Sequence, residues 1–234
     1  MAEDIAFAPN YTNILEIDIT PTGTEHTWAW VGPGISNIVP DGNEETDEDF
    51  YWDGFGMKTT DVKGGQMTLA VEGHRLVGDP AQDYVQSLAL SYGQARKTTA
   101  RLTDATGDVI EGKATLTGII PGSSIGDANS KGDFSFGIAF DGRPSYTPGN
   151  ATTLPESVTA QAVAVQVGAT VAASATIAPT TAGGKLLYAI EDTSVATVDM
   201  DGKVTGVKAG DTRLTVRCAA KPSVTVQVDV TVSA

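Results

Sequence analysis

The last third of the chain alternates apolar and polar residues with a period of two, which is typical of β-strands with one buried face. In the segment 212–217, Leu214 and Val216 can face a core while the neighbouring arginines face water. Valines at every second position from 224 to 232 fall on one face of the last strand. Glycine-containing turns recur about every ten residues, a rhythm that favours two packed sheets. We therefore predict an all-β sandwich over residues 157–234.

The first 150 residues show the same period in several places and are also predicted to be mainly β. Segments 98–104 and 109–119 alternate, and the turn sequence Asp104-Ala105-Thr106-Gly107 between them predicts a hairpin. In the segment 134–140, phenylalanine and isoleucine occupy one face and small residues the other. These patterns predict a β-barrel or β-sandwich for the first part of the chain.

One α-helix is predicted to flank this β-structure, over Asp79–Tyr92. Asp79 can cap the helix, Pro80 suits its first position, and Gly93 ends the pattern. Gln82 stands three residues after the cap, as in a capping box. The apolar face of the predicted helix consists of Ala81, Val85, Leu88 and Tyr92.

Formal charge divides the chain into two parts. The 234 residues carry 15 Lys and Arg against 29 Asp and Glu, a net charge of −14. Residues 1–150 hold 9 of the basic and 22 of the acidic side chains, whereas residues 151–234 are nearly neutral at −1. Three prolines in the segment 144–155 indicate an extended connection. We predict a first domain over 1–150, a linker over 151–156 and a second domain over 157–234.

The composition also argues against several classes of protein. A strongly acidic surface repels phosphate backbones and anionic membranes. With one cysteine, Cys218, and two histidines, the chain cannot form a disulfide framework or a Cys/His zinc cluster by itself. No segment approaches the roughly 18 apolar residues of a membrane span, and the acidic start Met1–Asp4 does not have the pattern of a secretory signal. We expect a soluble protein that folds in a reducing compartment.

Three short motifs suggest catalysis or metal binding, but each departs from the required pattern. The segment 122–126, Gly-Ser-Ser-Ile-Gly, matches a nucleophile elbow, yet both histidines precede it, whereas that fold places the histidine after the serine. The segment 107–114 resembles a phosphate loop with Ala114 in place of the hydroxyl that binds the metal. The acidic segment 41–47 has Thr46 where a calcium loop needs glycine. We expect no enzymatic activity, no bound metal and no cofactor.

The most unusual segment is the acidic stretch at residues 40–54, where seven carboxylates lie around Phe50, Tyr51 and Trp52. Clustered carboxylates stay hydrated, whereas each exposed aromatic side chain forgoes about 1.5 to 3 kcal/mol of burial free energy. Two arrangements resolve this conflict. The aromatic residues can pack into the core of their own subunit, or the surface of a partner can cover them.

The second domain resembles the group 2 bacterial immunoglobulin-like module. The resemblance rests on the segment 192–199, Asp-Thr-Ser-Val-Ala-Thr-Val-Asp, on the segment 202–206, Gly-Lys-Val-Thr-Gly, and on Gly210. It implies an immunoglobulin-like β-sandwich. Without a second cysteine, Cys218 is expected to be a small buried apolar residue. The candidate contacts for a cell-surface glycan in this domain are Lys185, Tyr188 and Lys203.

The first domain resembles the major tail protein of long-tailed, non-contractile bacteriophages. The resemblance rests on the order of the acidic segment, the sequence Tyr-Trp-Asp-Gly-Phe-Gly at 51–56, Gly-His-Arg at 73–75, the Gly-Asp-Pro helix start at 78–80, and the hairpins that follow. Some members of that family carry a C-terminal immunoglobulin-like domain, so the two-part organisation supports the resemblance. It implies hexameric rings that stack into a virion tail tube around a DNA passage, with the second domain facing outward.

The same resemblance implies the partners of this chain. They are further copies of itself and other tail proteins, such as the tape measure and tail terminator proteins, all made in the cytoplasm of a host bacterium. DNA would pass without specific binding. Each lysine or arginine in the channel wall would add a phosphate contact, and an acidic wall offers few of them. Subunit contacts are expected at the acidic segment, the helix and strand edges near 134–140. The expected interface residues are Asp49, Phe50, Tyr51, Trp52, Phe55, Asp79, Tyr84 and Leu88.

Two other functions stay open at this stage. Immunoglobulin-like modules of this type also occur in bacterial surface adhesins, although this chain shows neither an export signal nor tandem repeats. The tube subunit of a contractile secretion apparatus resembles the phage tube but ordinarily has no appended module.

Overall fold

The structure is a computed structural model that describes residues 9–120, 128–149 and 152–234. The elbow-like segment 122–126 and the acidic start Met1–Asp4 lie outside these residues. The prediction of a mainly β protein is confirmed, and the described residues contain one α-helix.

The described residues up to 149 form ten strands and one α-helix. These elements are β1 (Ile14–Asp18), β2 (Trp28–Trp30), β3 (Ile35–Asp41), β4 (Glu45–Phe50), β5 (Lys58–Gly64), β6 (Thr68–His74), α1 (Pro80–Ser87), β7 (Lys97–Thr103), β8 (Val109–Thr117), β9 (Asp133–Phe140) and β10 (Ser145–Thr147).

The second part contains strands alone. They are β11 (Ser157–Ala160), β12 (Val163–Gln166), β13 (Thr170–Ala172), β14 (Ala175–Ala178), β15 (Leu186–Ile190), β16 (Ala196–Val198), β17 (Lys203–Gly206), β18 (Gly210–Cys218) and β19 (Thr225–Ser233).

The chain folds into two compact units whose boundaries differ from the predicted division at residue 150. Among the described residues, the first unit comprises 9–32, 101–111, 145–149 and 152–234, and the second comprises 33–100, 112–120 and 128–144. One eight-stranded sheet has the order β2-β1-β7-β8-β9-β6-β3, with β10 paired to β8. The predicted boundaries at 150 and 157 stay a prediction.

The core of the second unit is built on β9. Phe134, Phe136, Ile138 and Phe140 are all buried, as the alternating pattern predicts. On the neighbouring antiparallel strand β6, Leu69 lies opposite Ile138 and Val71 lies opposite Phe136. Strand β8 covers the other edge of β9, with Leu116 opposite Ile138. Strand β9 thus pairs with β6 over 133–139 and with β8 over 137–140, and subunit contacts at strand edges near 134–140 stay a prediction.

Helix α1 begins where the sequence predicts and ends five residues earlier. The Asp79 carboxylate caps it, accepting a hydrogen bond from the Gln82 amide at 2.9 Å. The Ser87 hydroxyl donates to the Tyr84 carbonyl at 2.7 Å, and the Leu88 amide turns instead to the Val85 carbonyl at 3.1 Å. A side-chain donor that competes for a backbone carbonyl in this way weakens the helix. Tyr92, predicted on the buried face, is therefore outside the helix and exposed.

The capping-box prediction for Gln82 is half right. This buried side chain does not return to the cap residue but joins three backbone segments. Its amide nitrogen donates to the carbonyls of Pro33 at 2.7 Å and His74 at 3.3 Å, and its oxygen accepts from the Leu76 amide at 2.7 Å. Gln82 therefore connects α1 to the chain before β3 and after β6.

The C-terminal strands of the first unit form three sheets around one apolar core. Their orders are β11-β14, β12-β19-β18-β15 and β13-β17-β16, and β12 pairs with β19 in parallel. The predictions for Leu214, Val216 and Cys218 are confirmed, since each side chain is fully buried. In the described part of the predicted linker, the Glu156 amide donates to the Ala178 carbonyl at 2.9 Å.

Candidate assembly surface

The acidic segment leads into a β-hairpin. Strands β4 and β5 pair with each other in an antiparallel two-stranded sheet of their own. We call residues 45–64 the acidic hairpin, because they carry six acidic and two basic side chains. Lys58 pairs with Glu48 and Lys63 with Asp47, so both lysines of β5 neutralise acids of β4. The lysines and β-branched residues of 58–64 are the sequence signal for this strand.

The base of the hairpin is held by the residues that follow β3. Asn43 adopts a left-handed backbone conformation, with φ of 42°, which asparagine tolerates better than most residues. Its side-chain amide donates to the Gln66 carbonyl at 3.0 Å and to the Thr68 hydroxyl at 2.8 Å. The Gln66 amide donates to the Gly42 carbonyl at 2.9 Å. These bonds join the two arms where they leave the main sheet.

The tip of the hairpin is a short 3₁₀ turn over Trp52–Gly54. The Gly54 amide donates to the Tyr51 carbonyl at 3.0 Å, and the Met57 amide donates to the Gly54 carbonyl at 2.9 Å. Phe55 and the following glycine have positive φ angles, so the chain reverses sharply here.

The tip exposes the aromatic residues that the sequence marks as unusual. Trp52 is fully exposed and Phe55 is 97% exposed, while Phe50, Tyr51 and Met57 are each more than half exposed. Of the two arrangements that the sequence leaves open, the structure excludes burial of these side chains in the core of their own subunit. The tip therefore presents five exposed apolar side chains within the eight residues 50–57.

The predicted interface residues of the helix are buried or half-buried within the subunit. Asp79 is buried at the helix N-terminus, and this burial raises the pKa of its carboxyl despite the hydrogen bond from the Gln82 amide. Tyr84 and Leu88 are half-buried. The structure does not bring these three residues together with the hairpin residues Asp49–Trp52 and Phe55, and their place at a subunit contact stays a prediction.

Exposed apolar side chains also flank α1, and the sequence reasoning missed them. Leu76 and Val77 precede the helix, and Leu90 and Tyr92 follow it. The Arg96 guanidinium lies 5.0 Å from the centre of the Tyr92 ring.

The three glycan candidates have different environments. Lys203 is exposed, whereas the Lys185 side chain is only 15% exposed and pairs with Glu16. Tyr188 is half-buried against the turn glycine Gly202, and its burial raises the pKa of the phenol. Their role in glycan contact stays a prediction.

No group of three or more histidine, cysteine or acidic residues is arranged to hold a metal ion in the part of the chain that the structure describes. Over the same residues, no helix has the length and apolar character needed to cross a membrane.

Comparison with known proteins identifies the C-terminal sequence. Residues 154–232 match the family model of the bacterial Ig-like domain (group 2). This match confirms the immunoglobulin-like resemblance drawn from the sequence. The comparison with curated proteins found no match.

Several solved structures are similar to this chain. One is the tail of an empty gene transfer agent particle with C6 symmetry, at 16% identity and a TM-score of 0.48, over 61% of this chain and all of that chain. Another is the virion of a native gene transfer agent particle, at 13% identity and a TM-score of 0.45, over 61% of this chain and 100% of that chain. A third is the tube-terminating cap of an anti-feeding prophage, at 21% identity and a TM-score of 0.39, over 62% of this chain and 95% of that chain. With TM-scores below 0.5, these three likenesses do not establish a common fold.

Proposed function

We propose that this chain is a structural subunit of a bacteriophage tail tube that assembles through its acidic hairpin. The observation that carries the proposal is the exposure of Trp52 and Phe55 at the hairpin tip. A two-stranded hairpin is marginally stable alone in water, and every residue of β4 and β5 is exposed. Contact with a second copy of the chain would bury these side chains and hold the hairpin in one conformation.

The eight-stranded sheet provides a second means of association. Its terminal strands β2 and β3 each have one edge that pairs with no strand of the described residues. Such edges can pair with a strand of a neighbouring subunit. Contact through two different surfaces is heterologous, so copies can close into a ring, and rings can add further rings. In this proposal the rings are hexameric and form a tube within the virion tail.

The charge distribution suits a channel for DNA. Residues 1–150 carry 9 basic and 22 acidic side chains. In the structure, five of those basic side chains form ion pairs with acidic side chains: Lys58, Lys63, Arg75, Lys97 and Arg101. A wall with few unpaired cations offers few phosphate contacts, so DNA would pass without specific binding. Tape measure and tail terminator proteins are the other partners of such a tube.

The proposal is tested by removing the hairpin without disturbing the sheet. Residues 44–65 are replaced by one glycine, which joins Asn43 to Gln66 through an Asn-Gly turn. Asn43 already has a positive φ, as this turn requires, and the Gln66-to-Gly42 bond remains available. We expect a folded chain that melts cooperatively but forms no rings or tubes in electron micrographs. Tubes of parental appearance from this variant would refute the role of the hairpin.

A further inference from the structure

A buried acidic residue in β1 lies between two cations from distant parts of the chain. The Glu16 side chain is 0% exposed. Arg101 of β7 binds it with two nitrogens, Nε to Oε2 at 2.8 Å and Nη2 to Oε1 at 3.1 Å. Lys185, which precedes β15 of the immunoglobulin-like domain, contacts the same Oε1 atom. All three residues belong to the first compact unit.

The immunoglobulin-like domain also supplies an anion to this cluster. Arg101 Nη2 lies 3.2 Å from Asp201 Oδ1, in the turn between β16 and β17. The Arg101 guanidinium stacks 4.2 Å from the centre of the Trp28 ring on β2. We call Glu16, Arg101, Lys185 and Asp201 the charge cluster. Its formal charges cancel, with one cation and one anion from each side.

The two parts also share an apolar core. Ala105, in the turn between β7 and β8, is 2% exposed and belongs to the buried cluster formed by the valines and Leu214 of the immunoglobulin-like domain. Asp104 fixes this turn, because its carboxylate accepts from the Thr106 amide at 2.8 Å and the Asp108 amide at 2.9 Å. The apolar contact and the charge cluster are independent observations that join the same two parts.

The stability of a buried cluster of ion pairs depends on each of its charged side chains. Burial lowers the pKa of Lys185, and Glu16 opposes that shift. If Lys185 lost its charge or were removed, Glu16 would keep Arg101 but would lose one of the two cations that compensate for its burial. Leaving a buried charge without its partner is strongly destabilising, whereas replacing both partners with neutral residues costs much less.

We propose that the immunoglobulin-like domain acts as an internal binding partner for β1 and the β7–β8 turn. Its Lys185 and Asp201 complete the charge cluster around Glu16 and Arg101, and its core covers Ala105. In this arrangement the domain stabilises the N-terminal strands in addition to any contact it makes outside the chain. The inference concerns the folded subunit and does not depend on tube assembly.

The experiment compares substitutions of two lysines in the full chain. Lys185→Met removes the buried cation, and Lys203→Met removes an exposed lysine from the same domain as a matched control. We expect Lys185→Met to lower the melting temperature by about 10 °C and Lys203→Met to change it by no more than about 2 °C. Glu16→Gln combined with Lys185→Met should melt above Lys185→Met alone, because the buried carboxylate is then gone and Arg101 and Asp201 remain as one cation and one anion.

Hydrogen exchange gives a local measure of the same contact. In Lys185→Met, amides of β1 should exchange at least tenfold faster than in the parent, while amides of β9 in the second unit keep their parental rates. Equal melting temperatures for the two lysine variants, or unchanged exchange in β1, would overturn the proposal. If Lys185→Met does not fold, the double variant decides: a folded double variant supports the charge cluster, and an unfolded one contradicts it.

Discussion

The exposed tip of the acidic hairpin leads to a prediction in which assembly and folding respond differently. Trp52→Ser combined with Phe55→Ser removes two aromatic side chains that make almost no contact within their own subunit. The free energy of unfolding of the monomer should therefore change by no more than about 0.5 kcal/mol.

The effect on assembly is expected to be large. Burying an aromatic side chain of this size at a contact is worth about 1.5 to 3 kcal/mol, so the pair contributes about 3 to 6 kcal/mol to each contact that the tip makes. Because about 1.4 kcal/mol corresponds to a factor of ten in affinity, the contact should weaken by about 10² to 10⁴-fold.

Sedimentation velocity over a range of protein concentrations measures this difference, with a thermal melt of each sample. Val167→Ser combined with Val207→Ser is the matched control, because both valines are about half exposed and lie in the immunoglobulin-like domain. The control should assemble at the parental concentration, and the tip variant should stay monomeric there. A tip variant that assembles like the parent, or that loses substantial stability as a monomer, would contradict the reasoning.

Three further predictions concern stability. Asp79→Ala should lower the free energy of unfolding by about 0.5 to 2 kcal/mol through loss of the helix cap, and Asp79→Asn by much less, in denaturant titrations. Burial of Asp18 acts to raise the pKa of its carboxyl, but hydrogen bonds, including one with His26, lower it below 3.8. Its contribution to stability is therefore present above pH 3.8 and is lost as the pH falls through the lower folded value, so Asp18→Asn should flatten the acid limb of a stability profile. Gly202→Ala should destabilise the chain by more than Gly168→Ala in thermal melts. Both glycines have φ near 80°, but only at Gly202 would the added methyl lie 2.6 Å from the Tyr188 ring. Equal losses of stability would contradict the steric argument.

The strands that the sequence predicts correctly are those with one buried and one exposed face. In β9, β18 and β19 the alternation directly reports which face is buried, and turn residues fix the β7–β8 hairpin. Helix α1 starts at its predicted cap because the Asp79 carboxylate is a local acceptor for the Gln82 amide. At its end, the Ser87 hydroxyl bonds to the Tyr84 carbonyl, a contact that a periodic pattern does not encode.

The features that the sequence did not reveal depend on cross-strand or long-range pairing. The acidic run looks too charged to form a strand, but lysines 58 and 63 lie on the opposing strand and neutralise part of it. Glu16 gives no local sign of its two cations, since its partners lie 85 and 169 residues further along the chain. Lys185 consequently resembled a free surface lysine in the sequence and is largely buried in the structure.

The most direct test of the proposed function is electron microscopy of the purified full-length chain at increasing concentration, with and without a nucleating tail-tip complex. The account predicts rings and hollow cylinders, and it predicts that neither forms when residues 44–65 are replaced by glycine. A parental chain that stays dispersed as single subunits under every one of these conditions would contradict it.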